Sequence, residues 1–177
     1  MASTLSTEVL SRYKNNIFIE TGTSLGDGVQ LALDCGFNQI YSFEINPELV
    51  EHNRKRFKEH GSRVEIIYGD SSELLSLFLS RITEASTFWL DGHWDGGPVG
   101  KYRCPLLFEL DAIANHAIKN HTLLIDDRRL FGDQNHHWGR EVTEPLVIER
   151  IKKINHDYYI KYENGYIPND IITAKIL

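Results

Sequence analysis

Six carboxylates in this chain stand where apolar runs stop. Glu20 follows Ile17-Phe18-Ile19 and Glu44 closes the run 39–44, while Asp70 follows Ile66-Ile67-Tyr68-Gly69. Asp91 follows Phe88-Trp89-Leu90, and the pair Asp126-Asp127 follows Leu123-Leu124-Ile125. Taken singly, such an acid is ordinarily a helix cap or a solvated turn residue; Asp126 would cap its turn and Asp127 would pair with Arg128 or Arg129. Taken together on one rim, they repel one another unless a cation or a hydrogen-bonding ligand joins them. His93, two residues past Asp91, is the natural general base for chemistry at that rim.

A glycine-rich turn accompanies the first acid. In the stretch Asn16 to Gly28, NIFIETGTSLGDG, Glu20 opens at once into Gly22, Gly26 and Gly28. Glycines at such a turn let the backbone adopt positive φ and approach a bound molecule closely. The spacing decides which molecule. A dinucleotide fingerprint needs Gly-x-Gly-x-x-Gly, but Ser24 and Asp27 fill the second and third places; a P-loop needs Gly-Lys-Ser/Thr, and no lysine is present. A nicotinamide-dependent oxidoreductase is disfavoured on the same ground.

These residues need a parallel sheet to bring them together, and the chain alternates accordingly. The patterns predict strands at 17–20, 39–44, 64–68, 87–90, 122–125, 158–162 and 171–176. Helices are predicted near 27–35, 47–58, 72–82, 105–118 and 144–154. Asn46-Pro47 reads as an N-cap followed by proline at the first helical position, and Asp70-Ser71-Ser72-Glu73 has capping-box spacing. Leu106, Leu110, Ile113 and Ala117 form one apolar stripe. Residues 1–14 carry Leu5, Val9 and Leu10 at helical spacing and are expected to cover an edge of the sheet. The last two strands, with no helix between them, pair most simply as an antiparallel hairpin across Asn164-Gly165. The expected fold is a Rossmann-like, doubly wound α/β sheet of five parallel strands plus that C-terminal hairpin, with helices on both faces and ligands beyond the carboxyl ends of the strands.

The order Glu20-x-Gly22-x-Ser24-x-Gly26 resembles the acid-x-Gly-x-Gly-x-Gly turn of class I methyltransferases that use S-adenosylmethionine (SAM), with Ser24 in place of the central glycine. SAM carries an ammonium and a sulfonium and no phosphate, so a carboxylate at the strand end suits it better than a bare helix N-terminus. The resemblance implies that Glu20, Gly22, Thr23, Ser24 and Gly26 hold the methionine part, that Glu44 binds the ribose hydroxyls, and that Asp70 and Ser71 flank the adenine. FWLDGHW followed by LLIDD resembles the metal-dependent O-methyltransferases, both the catechol type and those acting on macrolide sugars. By that likeness Asp91, Asp126 and Asp127 hold Mg²⁺, which would lower the pKa of an acceptor hydroxyl. A metal-free version needs only a general base, for which His93, two residues past the catalytic candidate Asp91, is the natural choice.

The reaction so implied moves a methyl group from SAM to a hydroxyl of a small acceptor. Trp94, Arg128, His136, His137 and Trp138, in the loops 92–103 and 128–141, suit a polyol, because aromatic faces pack on sugar C–H groups while imidazoles bond to hydroxyls. The resemblance to the sugar-modifying enzymes favours a sugar or glycan over a catechol-like phenol, and the same residues could equally fold back as a lid or fill a small core. The rival from another class is a SAM-fold module that binds a partner and performs no chemistry; the convergent acids argue against it.

The chain has 177 residues, 41% hydrophobic and 25% charged, as in a single globular domain spanning 1–177. A formal charge of -6 argues against nucleic acid as the main partner. Two cysteines, Cys35 and Cys104, make no disulfide framework, and the sequence shows no signal peptide and no apolar run of membrane-spanning length, so a cytoplasmic setting without membrane partners is expected. A homo-oligomer, or membership of a larger glycan-building enzyme, fits the same picture.

Overall fold

A computed structural model describes residues 4–94 and 96–177. Seven strands form one mixed sheet: β1 (Ile17–Thr21), β2 (Gln39–Glu44), β3 (Val64–Tyr68), β4 (Ser86–Leu90), β5 (Thr122–Ile125), β6 (Tyr159–Glu163) and β7 (Ile171–Lys175). Their spatial order is β3-β2-β1-β4-β5-β7-β6. The first five pair in parallel, and β7 enters antiparallel between β5 and β6. The hairpin expected at the C-terminus thus continues the sheet through its second strand. Strand order reverses between β1 and β4, which opens a crevice at their carboxyl ends.

Helices α1 (Thr7–Arg12), α2 (Asp27–Asp34), α3 (Pro47–Arg56), α4 (Ser71–Leu79), α5 (Leu106–Asn115) and α6 (Glu144–Ile154) cover the two faces. Successive strand residues point to opposite sides, and the core divides accordingly. Phe18, Trp89, Leu124 and Ile171 pack with residues of α1, α2 and α3. Ile19, Phe88, Leu90, Leu123, Ile125 and Ile172 pack with α4, α5 and α6. Burial of each such side chain contributes about 1.5–3 kcal/mol, which is what fixes the strand register and with it the rim.

Local signals set the helix starts. Asn46 Oδ1 accepts from Glu48 N at 2.9 Å with Pro47 at the first helical position, and Asp70 Oδ1 accepts from Ser72 N at 2.9 Å. Glu73 does not close a capping box; it pairs with Lys101 at 3.6 Å instead. Helix α5 stops at Asn115, so Ala117 falls outside the apolar stripe: His116 turns to extended backbone and its Nδ1 meets His121 Nε2 at 2.9 Å. The segment predicted at 1–14 lies against a face as much as an edge. Leu5, Val9 and Leu10 are buried with Trp89, Leu124 and Ile171, while Arg12 and Tyr13 reach Glu163 on the outermost strand at 2.7 Å. Its first three residues lie outside the described ones. Among the described residues no helix is long and apolar enough to cross a membrane.

Candidate active site

A cleft of about 910 Å³ runs along the carboxyl ends of β1 to β5, and all six rim carboxylates line it. Its first half is built on the β1–α2 turn. Gly22 and Gly26 take φ of 85° and 90°, and Ser24, where the resembling motif has glycine, also enters the left-handed region with φ 49°. Ser24 N donates to Glu44 Oε2 at 2.8 Å and Asn46 N donates to Oε1 at 2.8 Å. Glu44 thus fixes the turn that faces it while its remaining lone pairs stay available to a ligand in the cleft.

Glu20 is 2% exposed. Its Oε2 accepts from Ser42 Oγ at 2.5 Å, and Ser42 Oγ also lies 2.6 Å from Thr23 Oγ1. Burial pushes the Glu20 carboxyl up to about 8; the Ser42 hydroxyl opposes this, and the charges of Asp91, Glu44 and Asp27 add to it. The side chain fits only because residue 28 is glycine, since a Cβ there would overlap Glu20 Oε1. Thr23 therefore acts through its neighbour, bracing Ser42 under Glu20.

Asp70 and Ser71 line the cleft with their polar atoms already engaged. Asp70 Oδ1 caps α4, and Oδ2 accepts from Lys101 N at 2.6 Å, drawing the loop after β4 across the cleft mouth. A Cβ at Gly100 would collide with Asp70 Oδ2. Ser71 Oγ donates to Glu109 Oε1 at 2.6 Å, which ties the start of α4 to α5.

The second half gathers at the ends of β4 and β5. His93 Nδ1 lies 3.3 Å from Asp91 Oδ1 and Nε2 lies 3.1 Å from Asp127 Oδ2. Burial pulls the imidazole pKa down, but the Asp91 hydrogen bond and the charges of Asp91, Asp127 and Asp126 outweigh it and raise the value. With a carboxylate against each ring nitrogen, His93 is clamped between two acids that favour its protonated form. Burial, reinforced by Asp91 and Asp127, pushes Asp126 up to about 7 against the Thr4 hydrogen bond. Asp126 Oδ1 is buried without a partner among the described residues.

The predicted metal set is regrouped. Asp91, His93 and Asp127 each present one ligand atom within 4.8 Å of the others, and a second group joins Asp126, Asp127 and Asp170. Two carboxylates and a neutral imidazole are a donor set that fits a divalent ion such as Mg²⁺ or Mn²⁺.

Of the predicted acceptor residues, Trp94, His136 and His137 line the cleft. His137 Nε2 sits 2.9 Å from Trp94 O and ties the two loops together. Arg128 does not line it: Asp127 takes φ 60° and starts a 3-10 turn, sending Arg128 to Glu144 at 2.9 Å and over the Tyr162 ring. Trp138 is also misplaced by sequence reasoning, being 1% exposed and packed in the core against the His93 ring at 5.1 Å.

Arg129 takes the place expected for Arg128. It bridges Asp127 and Asp170, the latter at 2.5 Å, and lies beneath the Tyr166 ring in the cleft. Asp170 precedes β7, and an antiparallel strand starts at the rim where parallel ones end; that was the signal for it. Glu109 was marked by a carboxylate three residues after Leu106 and one before Leu110, on the buried side of α5. It is 1% exposed, and burial pushes it up to about 7, opposed by Ser71 and Thr21 and helped by Asp70 and Asp91.

No protein-family model and no curated protein matches this chain. Solved structures do. A Streptococcus mutans protein assigned as a methyltransferase, crystallised with S-adenosylhomocysteine (SAH), has a TM-score of 0.64 at 16% identity, over 97% of this chain and 95% of that one. A Clostridium thermocellum protein assigned as an rRNA methylase gives 0.62 at 10% identity, over 97% and 95%. A Staphylococcus aureus protein assigned as a caffeoyl-CoA O-methyltransferase gives 0.59 at 13%, over 96% and 80%. At these identities the likeness is one of architecture: this chain has the fold of those methyltransferases.

Proposed function

We propose that this protein is a SAM-dependent O-methyltransferase whose acceptor is a hydroxyl of a sugar or glycan. One observation carries the proposal: a single cleft joins an acid-and-glycine cradle at β1–β2 to a carboxylate–histidine centre at β4–β5. The two halves touch. A Cβ at Gly22 would overlap the Asp91 carbonyl oxygen, so only glycine lets the donor cradle approach the acceptor centre this closely. A volume of about 910 Å³ is at the upper end of small-molecule sites and accommodates donor and acceptor together. The SAH bound to the Streptococcus mutans neighbour supports the donor assignment.

Glu20 would receive the methionyl ammonium and Glu44 the ribose hydroxyls. Methyl transfer removes the sulfonium charge, so negative potential is better spent on the acceptor than beside sulfur. The second-half carboxylates are placed for that task. Asp126 lines the acceptor end of the cleft, where its carboxylate would orient the acceptor hydroxyl and take its proton as the methyl is transferred. Asp91, Asp127 and, once its proton is displaced, His93 would hold a divalent ion, which when bound supplies Lewis-acid polarisation of the acceptor oxygen. Trp94, His136, His137 and Tyr166 give the aromatic faces and imidazoles of a polyol surface. The acid-rich rim and formal charge of -6 disfavour an RNA acceptor.

Methyl release from labelled SAM, across sugar, phenol and RNA acceptors with and without EDTA, tests the proposal. Transfer to a sugar hydroxyl is expected; transfer only to RNA or a phenol overturns the acceptor, and none with any acceptor overturns the activity.

A further inference from the structure

Glu109 joins three strand ends that the cleft depends on. Its Oε1 accepts from Ser71 Oγ after β3 at 2.6 Å. A Cβ added at Gly92 after β4 would lie 3.3 Å from the same oxygen and 3.2 Å from Thr21 Oγ1 at the end of β1. The chain thus passes Glu109 where a side chain has little room. The other oxygen, Oε2, is buried with no partner among the described residues, and so is Trp138 Nε1.

These two orphans are chemically complementary, an acceptor and a donor, and both residues are 1% exposed. Both also line one small cavity behind residues 91–93, with Cys104, Phe131 and Asp126. Its volume of about 10 Å³ is the space a single water needs. Leaving two buried polar atoms unmatched is costly, and a water in this cavity would donate to one and accept from the other; Asp126 Oδ1, also buried without a partner among the described residues, belongs to a residue of the same lining.

We propose that this cavity binds one water molecule between Glu109 Oε2 and Trp138 Nε1, and that Glu109 is thereby the positioning residue that fixes the Asp91-Gly92-His93 turn against the glycine cradle. Trp138 packs on the His93 ring, so the water ties the turn from behind on both flanks. Glu109 lines this cavity and not the main cleft, which separates its role from contact with the reacting atoms.

The test combines crystal structures of the ligand-free wild type and Glu109→Leu with kinetics of Glu109→Leu, Glu109→Gln and Trp138→Phe. A density peak within hydrogen-bonding distance of both orphan atoms is expected in the wild type; a dry cavity overturns the water site. Glu109→Leu should shift the 91–93 turn and lower kcat about 10- to 100-fold, with KM for SAM and SAH affinity changed less than about threefold. Glu109→Gln should restore most of kcat. An unmoved turn with unchanged kcat overturns the positioning role. Should Glu109→Leu not fold, Trp138→Phe decides: loss of the peak with lower kcat supports the proposal, and unchanged kcat overturns it. The kinetic arm rests on the methyl-transfer proposal. A wild type without transfer activity rejects that proposal, while the density peak and the turn position still decide this one.

Discussion

The carboxylates of the cleft differ in their partners, and each set of partners makes its own prediction. Replacing Asp91 with Ala removes one side of the His93 clamp and should abolish turnover while SAH affinity changes little; equal loss of both, measured by calorimetry and methyl transfer, would place Asp91 in the donor half. Glu44→Ala removes the acceptor of two backbone N–H groups and the proposed partner of the ribose hydroxyls, and should weaken SAH binding by roughly 10- to 100-fold. Glu20 carries a pH signature. Its carboxyl is pushed up to about 8 from an ordinary 4.5, so near neutrality the free protein holds a proton that a methionyl ammonium would displace. SAH binding should therefore release a proton, seen as a binding enthalpy that differs between buffers of unlike ionisation heat; identical enthalpies contradict it. The same shift makes the folded state bind more protons than the unfolded chain between these pKa values, so stability from this group is present at low pH and lost as pH rises through about 8. Glu20→Gln should flatten the fall in Tm between about pH 5 and about pH 9.

At the scale of elements, the loop after β4 is held at three places. Its neck is closed by Trp94 N donating to Arg103 O at 2.6 Å, its far end by Lys101 N on Asp70, and its flank by His137 on Trp94 O. It therefore reaches the donor end of the cleft as well as the acceptor end that sequence reasoning gave it. Asp70→Ala removes both a helix cap and this latch; stability should fall by about 0.5–2 kcal/mol. Limited proteolysis should then cut within 96–101, and unchanged cutting would show that the latch does not hold the loop. All seven strands and the helix starts were legible because buried apolar runs, Asn46-Pro47 and Asp70 are local signals. Arg128, Arg129 and Trp138 were not legible, because which of two adjacent arginines faces the cleft depends on the left-handed turn at Asp127. The burial of Trp138 depends on packing against His93, far away in sequence.

Over the whole molecule, parallel pairing turns acids scattered from residue 20 to 127 into one rim, and antiparallel β7 adds Asp170 to it. That convergence followed from sequence alternation, which also placed His93 on the rim; Arg129, the arginine set among the acids, did not follow from it. The rim should take up one divalent ion. Calorimetric titration with Mn²⁺ is expected to show one saturable site that Asp127→Asn removes, and equal heats for both proteins would leave the acids neutralised by His93 and Arg129 alone. The measurement that tests the central claim most directly is a crystal structure with SAH. The amine should lie against Glu20, the ribose hydroxyls against Glu44, and the sulfur should face the Asp91–Asp127 end of the same cleft. A nucleoside bound elsewhere, or one whose sulfur faces away from Asp91, would contradict it.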